Sequence, residues 1–245
     1  MQIDILPQPD DITCGPTCLH AVYRYFGDDV PLEDVIQQTP SLEEGGTLGV
    51  QLGCHALHRG FDATIYTYNL RIFDPTWFCG PTSEDVGQPQ LDLVERLQTQ
   101  MEHKDSQKMQ LASEAYIRFL ASGGQIRMED LTGDLLRYYL NQSIPILTGL
   151  SATYLYAHPR EIGATNKPDD IRGTPAGHFV VLSGYDRQRG TVTVADPYLP
   201  NPLGPQHHYD VDLDRLVCAI LLGVLTYDAN LLIIEPRANR HSQNP

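Results

Sequence analysis

The feature that most limits what this chain can fold into is a change of hydrophobic rhythm near residue 143. Before it, apolar residues recur mostly at helical spacing. "CGPTCLHAVYRYF" carries Leu19, Val22, Tyr23 and Phe26 on one face and runs from an N-cap at Thr13 to Gly27. "PLEDVIQQ" (31–38) opens on Pro31 in its first turn, and "TLGVQLGCHALHRGF" (47–61) supplies a third helix. Residues 86–140 are again helical, up to Gly123-Gly124 and then through "MEDLTGDLLRYYLNQ" (128–142). After the change come "SIPILTGL", "GHFVVLSGYD", "GTVTVADPY" and "ANLLIIEP", β-branched or apolar runs bounded by Gly, Pro and Asp. "DATIYTYN" is an early strand inside the helical part. Helices followed by strands predict an α+β fold, with a helical half packed on an antiparallel sheet. No repeat or linker divides the chain. The expectation is one domain over 1–236, with a helical insertion at about 86–140, a long loop at about 151–175 and a frayed tail at 237–245.

Charge narrows the possible partners. A formal net charge of −14, with no run of four basic residues, argues against a nucleic-acid surface and disfavours an anionic membrane. The longest apolar stretch, "LVCAILLGVL" (216–225), is shorter than the roughly 20 residues a bilayer span needs. The N-terminal segment is acidic and lacks a signal-peptide core. Five cysteines at spacings that suggest no disulfide framework predict free thiols in a reducing cytoplasm. Oligomeric state is not readable.

Two cysteines in "QPDDITCGPTCL" (8–19) raise the question of chemistry. A nucleophilic thiol needs help to ionise, and the positive end of a helix dipole supplies some. Cys14 sits there, followed by Gly15-Pro16 in the first turn, whereas Cys18 lies one turn deeper in a packing position. Cys54, Cys79 and Cys218 read as small buried hydrophobes. A nucleophile also needs a base with an orienting partner. His178 begins the strand "HFVVLSGYD", and the strand after it ends at Asp196. A turn near Gln188 would put His178 about ten residues before it and Asp196 about eight after, close to level. A capping aspartate and a packed histidine explain the same pattern equally well.

Taken together, "QPDDITCGPTCL" (8–19), "GHFVVLSGYD" (177–186) and "VADPY" (194–198) resemble the papain-like cysteine peptidases of the bacteriocin-processing type, the C39-like peptidases. The resemblance implies a papain-like fold, with Cys14 as nucleophile, His178 as general base and acid, and Asp196 orienting it. In that family a glutamine six residues before the cysteine donates to the oxyanion. Gln8 stands six before Cys14, whereas Ile12 stands six before Cys18, so the register selects Cys14. The chain departs from the family in carrying Thr13 where many relatives have Asp, and in lacking any transporter segment. A double-glycine leader as substrate is therefore not carried over. The implied activity is hydrolysis of a peptide or protein amide bond without a cofactor. Acyl transfer through the same triad, or a non-catalytic peptide-binding module, are the alternatives.

The remaining candidates are weaker. Zinc at Cys14, Cys18, Cys54, His55 and His58 lacks the compact paired spacing of structural sites, so no metal is expected. His207-His208 read as solvated loop residues, and "LEEGG" and "NKPDD" as soluble surface. Tyr66, Tyr68, Tyr138, Tyr139, Tyr154 and Tyr156 read first as core. Tyr154 and Tyr156, at the edge of the long loop, are with Gly177 the candidates for substrate contact. Nothing in the sequence gives Trp77 a function.

Overall fold

The computed structural model describes residues 1–42, 45–79, 89–163 and 165–237. Glu43-Glu44 of the "LEEGG" segment, residues 86–88 of the helical middle, and 238–245 of the expected tail lie outside the described residues. In chain order the elements are α1 (Cys14–Tyr25), α2 (Leu32–Gln38), α3 (Gly49–His58), β1 (Phe61–Thr67), α4 (Pro89–His103), α5 (Gln107–Ala121), β2 (Gln125–Arg127) and α6 (Gly133–Asn141). There follow β3 (Ile146–Ser151), α7 (Ala152–Tyr156), β4 (Glu161–Ile162), β5 (Lys167–Pro168), β6 (Gly177–Asp186), β7 (Thr191–Ala195), β8 (His208–Asp212), α8 (Leu213–Leu222) and β9 (Asn230–Pro236).

Seven strands form one sheet in the order β2-β1-β9-β3-β6-β7-β8, antiparallel throughout except for the β1–β2 pair. Both faces are covered, as the near-continuous burial of β3 and β9 requires. One face packs under α1, α3, α4 and α5, through Leu19, Leu52, Leu97, Phe119, Phe179 and Val181 among others. The opposite face packs under α6 and α8, through Leu136, Leu216, Ile220, Val180, Leu182 and Val194. The fold is α+β, and α4 and α5 contribute buried side chains to the first of these cores.

The sequence reading needs four local corrections. The middle region breaks at 104–106, where the Ser106 hydroxyl caps α5 by accepting from the Met109 amide. It also yields a short strand, β2, beside β1. The loop 151–175 is not structureless, since it holds α7 and the two-stranded hairpin β4–β5. His208 belongs to β8 and engages the Ile3 carbonyl at 2.9 Å instead of lying free in a loop. Cys79 and Cys218 are exposed, not buried; all five cysteines are free thiols. Among the described residues no helix is long and apolar enough to cross a membrane.

One irregularity in the sheet governs the site. Along β6 and β7 the register runs Val181↔Ala195 and Leu182↔Val194, then jumps to Gly184↔Thr193, so Ser183 is the extra residue of a β-bulge. Directly opposed residues of an antiparallel pair share a face. Val194 therefore faces with Leu182, and alternation carries that face to Val180 and His178 on β6 and to Asp196 beyond β7. Without the bulge the register would slip by one and Asp196 would project from the other face.

Candidate active site

Cys14 is the first residue of α1, so its backbone N–H has no partner within the helix. Thr13 occupies the N-cap position, but its hydroxyl makes no capping bond and instead exchanges hydrogen bonds with Asp10 at 3.3 Å. The helix lies tightly on β6. A Cβ at Gly15 would stand 2.7 Å from the Thr47 Cγ2 and 3.2 Å from the Phe179 ring, so glycine lets the cysteine end of α1 approach the sheet. Cys18 donates its thiol hydrogen to the Phe179 carbonyl at 3.2 Å, and burial pushes its thiol well up. Cys18 is a packing residue; Cys14 opens into the cleft.

That cleft has a volume of about 500 Å³ and brings Gln8, Cys14, Gly177 and His178 together with Tyr156 and Tyr198. His178 donates from Nε2 to Asp196 Oδ1 at 2.8 Å. That leaves Nδ1 as the nitrogen free to meet the Cys14 thiol, which lines the same cleft. Burial pulls the His178 pKa down, but the Asp196 carboxylate and the Cys14 thiol outweigh it and hold the ring protonated well above its ordinary range.

Asp196 is fully buried, and its carboxylate accepts four hydrogen bonds. Oδ1 takes His178 and the Tyr198 amide at 2.9 Å, while Oδ2 takes the hydroxyls of Tyr156 and Tyr209, each at 2.6 Å. Burial alone would raise its pKa; the His178 charge and the two tyrosine hydroxyls more than reverse this and hold it below the usual carboxylate range. Its backbone is clamped too. Its N–H donates to the His207 carbonyl at 2.8 Å, and its own carbonyl accepts from His207 Nδ1 at 2.6 Å. A carbonyl only accepts, so His207 carries its hydrogen on Nδ1.

Gln8 is tied to the same segment through its backbone N–H, which donates to the Pro197 carbonyl at 2.9 Å. Its Nε2 gives one hydrogen to the Asp10 carbonyl at 2.8 Å, which fixes the amide and leaves the second hydrogen free. Gly177 lines the cleft, against Thr226. Tyr156 also lines it, but its hydroxyl is spent on Asp196. Tyr154 lies away from the cleft, under the Arg215 guanidinium, which stands 5.3 Å from its ring centroid. The β4–β5 hairpin reaches across the cleft, where Asn166 Nδ2 donates to Asp11 Oδ2 at 3.1 Å.

Sequence reasoning missed Tyr209, Tyr198 and the bulge. Tyr209 was findable, since "HYDVD" alternates strictly and places Tyr209 and Val211 inward. Among the described residues no three His, Cys, Asp or Glu side chains gather as a metal site.

No curated protein matches the chain in sequence. Several solved structures resemble it. The peptidase domain of Streptococcus ComA, a bifunctional ABC transporter, is 11% identical, with 96% of this chain and 100% of that one covered and a TM-score of 0.44. A double glycine motif protease from an AMS/PCAT transporter, in complex with the leader peptide, is 14% identical over 96% and 92%, TM-score 0.43. Xylellain, a cysteine protease from Xylella fastidiosa, is 15% identical over 97% and 85%, TM-score 0.43. With TM-scores below 0.5 these likenesses carry no weight for the reaction. The sequence itself does: residues 1–215 match the Peptidase_C39 like family, and the chain belongs to that family of cysteine peptidases.

Proposed function

We propose that the chain hydrolyses peptide bonds with Cys14 as nucleophile, His178 as general base and acid, Asp196 as the residue that positions His178, and Gln8 with the Cys14 amide as oxyanion donors. The observation that carries this reading is one imidazole with Nε2 on a buried carboxylate and Nδ1 left free in the cleft that it shares with a thiol at a helix N-terminus. In the resting pair, Nδ1 holds the thiol proton and Cys14 is a thiolate, favoured by the helix dipole. The sulfur attacks the carbonyl carbon, and the π electrons move to oxygen. The oxyanion takes hydrogen bonds from Gln8 Nε2 and the Cys14 N–H, each worth roughly 3 kcal/mol in comparable sites. As the C–N bond breaks, the leaving amine takes the Nδ1 proton. Neutral His178 then takes a proton from water as hydroxide attacks the thioester, the C–S bond breaks, and the ion pair returns.

The test is the pH dependence of iodoacetamide labelling at each cysteine, read by mass spectrometry, in wild type and His178→Ala. Fast labelling of Cys14 below pH 7, lost in the variant, is the expected result. Labelling of Cys14 at the rate of an ordinary exposed thiol such as Cys218, unchanged in His178→Ala, would overturn the assignment.

A further inference from the structure

Of the cleft's carboxylates that this reaction does not use, one is buried. Asp228 precedes β9 and lines the same cavity as Cys14 and His178. It is 5% exposed, yet the only hydrogen bond its carboxylate makes among the described residues is a long one, 3.4 Å, from the Gly49 amide. Capping of α3 does not account for it, since a capping oxygen accepts from the second or third amide of a helix at ordinary length. Burial raises the Asp228 carboxyl to about 7, against the opposing pull of the Gly49 amide and Lys108. The contrast with Asp196, which has four donors, is sharp. A carboxylate this buried and this poorly partnered is costly unless something else pairs with it.

Its surroundings have space and direction. A Cβ at Gly149 would come within 2.5 Å of the Asp228 Cβ, and one at Gly177 within 2.7 Å of Thr226 Oγ1, so the two glycines let Asp228 and Thr226 pack closely against β3 and the start of β6. Gly177 directly precedes His178. The Phe179 ring lies against Gly15 beside Cys14 on one side and against Gly149 on the other, and so links the nucleophile's helix to Asp228. Thr226 spends its hydrogen on the Gly223 carbonyl at 3.0 Å, which leaves its oxygen as an acceptor. Along the cleft stand three carboxylates, Asp11, Glu161 and Asp228, and one lysine, Lys108. Among the described residues no ion pair joins Lys108 to Asp228; its ammonium lies 5.0 Å from the Tyr227 ring centroid.

We propose that Asp228 forms the floor of a substrate subsite, beside Cys14 and His178, that takes a lysine or arginine side chain of the peptide. The assignment rests on the catalytic reading of the cleft. The aliphatic stem lies along Phe179 and the glycines, and the cationic head pairs with Asp228 and the Thr226 oxygen. Two acceptors facing one place favour a cation over an uncharged side chain of the same length.

The experiment compares kcat/KM for fluorogenic peptides carrying lysine, arginine, norleucine or glutamate at each position on either side of the cleaved bond. Wild type, Asp228→Asn and Lys108→Gln are measured, with iodoacetamide labelling of Cys14 as the reference in each. At one position wild type prefers the basic residues over norleucine by roughly tenfold or more. Asp228→Asn abolishes that preference, and Lys108→Gln, which removes the competing cation, increases it. Rapid Cys14 labelling combined with no basic preference, with one that survives Asp228→Asn, or with one that Lys108→Gln leaves unchanged or lowers, would overturn the subsite and leave the catalytic reading standing. Should Asp228→Asn fail to fold, the Lys108→Gln arm decides alone. An unreactive Cys14 in wild type overturns both.

Discussion

Tyr209→Phe removes a single hydroxyl from the side of Asp196 remote from the reaction. Tyr209 is on β8, is almost fully buried and does not line the cleft, so the substitution leaves the cavity's shape intact. Its hydroxyl donates at 2.6 Å to a carboxylate with no access to water, a bond of the charge-assisted class worth about 1.5–3 kcal/mol. Asp196 keeps three donors, so a loss of about 2 kcal/mol is expected, or roughly 4–8 °C in Tm for a chain of this length. Scanning calorimetry at neutral pH measures the loss directly. The decisive comparison repeats it in an Asp196→Asn background, where the acceptor is neutral. There the cost should fall to about 1 kcal/mol, the value of a neutral bond, which gives a coupling of about 1 kcal/mol. Additive losses, equal in both backgrounds within about 0.5 kcal/mol, would show that Tyr209 acts by packing and not through the carboxylate.

Two further outcomes follow from the same geometry. Gln8→Ala should lower kcat by roughly 10² to 10³ while iodoacetamide labelling of Cys14 stays fast, because only an oxyanion donor is lost; kcat and labelling falling together would refute that role. The stability difference between wild type and Asp196→Asn should depend on pH. The folded pKa of Asp196 is lowered, so its contribution is present above the unfolded value of about 3.9 and is lost as pH falls through the folded one. The pKa of His178 is raised, so its contribution is complete below about 6.5 and is lost as pH rises through the folded value. The difference should therefore be largest between about pH 4 and 6.5 and decline on both sides, and a flat profile from urea unfolding would contradict it.

The elements nearest the chemistry were the most legible in sequence. The α1 helix carries a clear apolar face, Gly15-Pro16 marks its first turn, and "GHFVVLSGYD" matches β6 residue for residue. What sequence could not give was the relation between strands. Counting from a turn near Gln188 put His178 and Asp196 at one end of the sheet, but the pair shares a face only because of the extra residue at Ser183, and a bulge leaves little trace in composition. Tyr156 was noticed for its place at the loop's edge, yet its hydroxyl reaches a carboxylate 40 residues away, a contact made by tertiary folding alone. Asp228 sits between two ordinary elements, and only the fold turns it into the cleft.

The Ser183 bulge makes strand length a matter of parity. Inside β6 between His178 and the turn, or inside β7 between the turn and Asp196, the chain may grow or shrink by two residues and return both side chains to the same face, whereas a change of one sends them to opposite sides of a seven-stranded sheet. The hairpin at 187–190 is a surface turn, ordinarily the most forgiving place in a protein for insertions. An insertion there lengthens the loop beyond the Asp186↔Thr191 pair and leaves the strands in register, so the parity rule binds the two strands and not the turn that joins them.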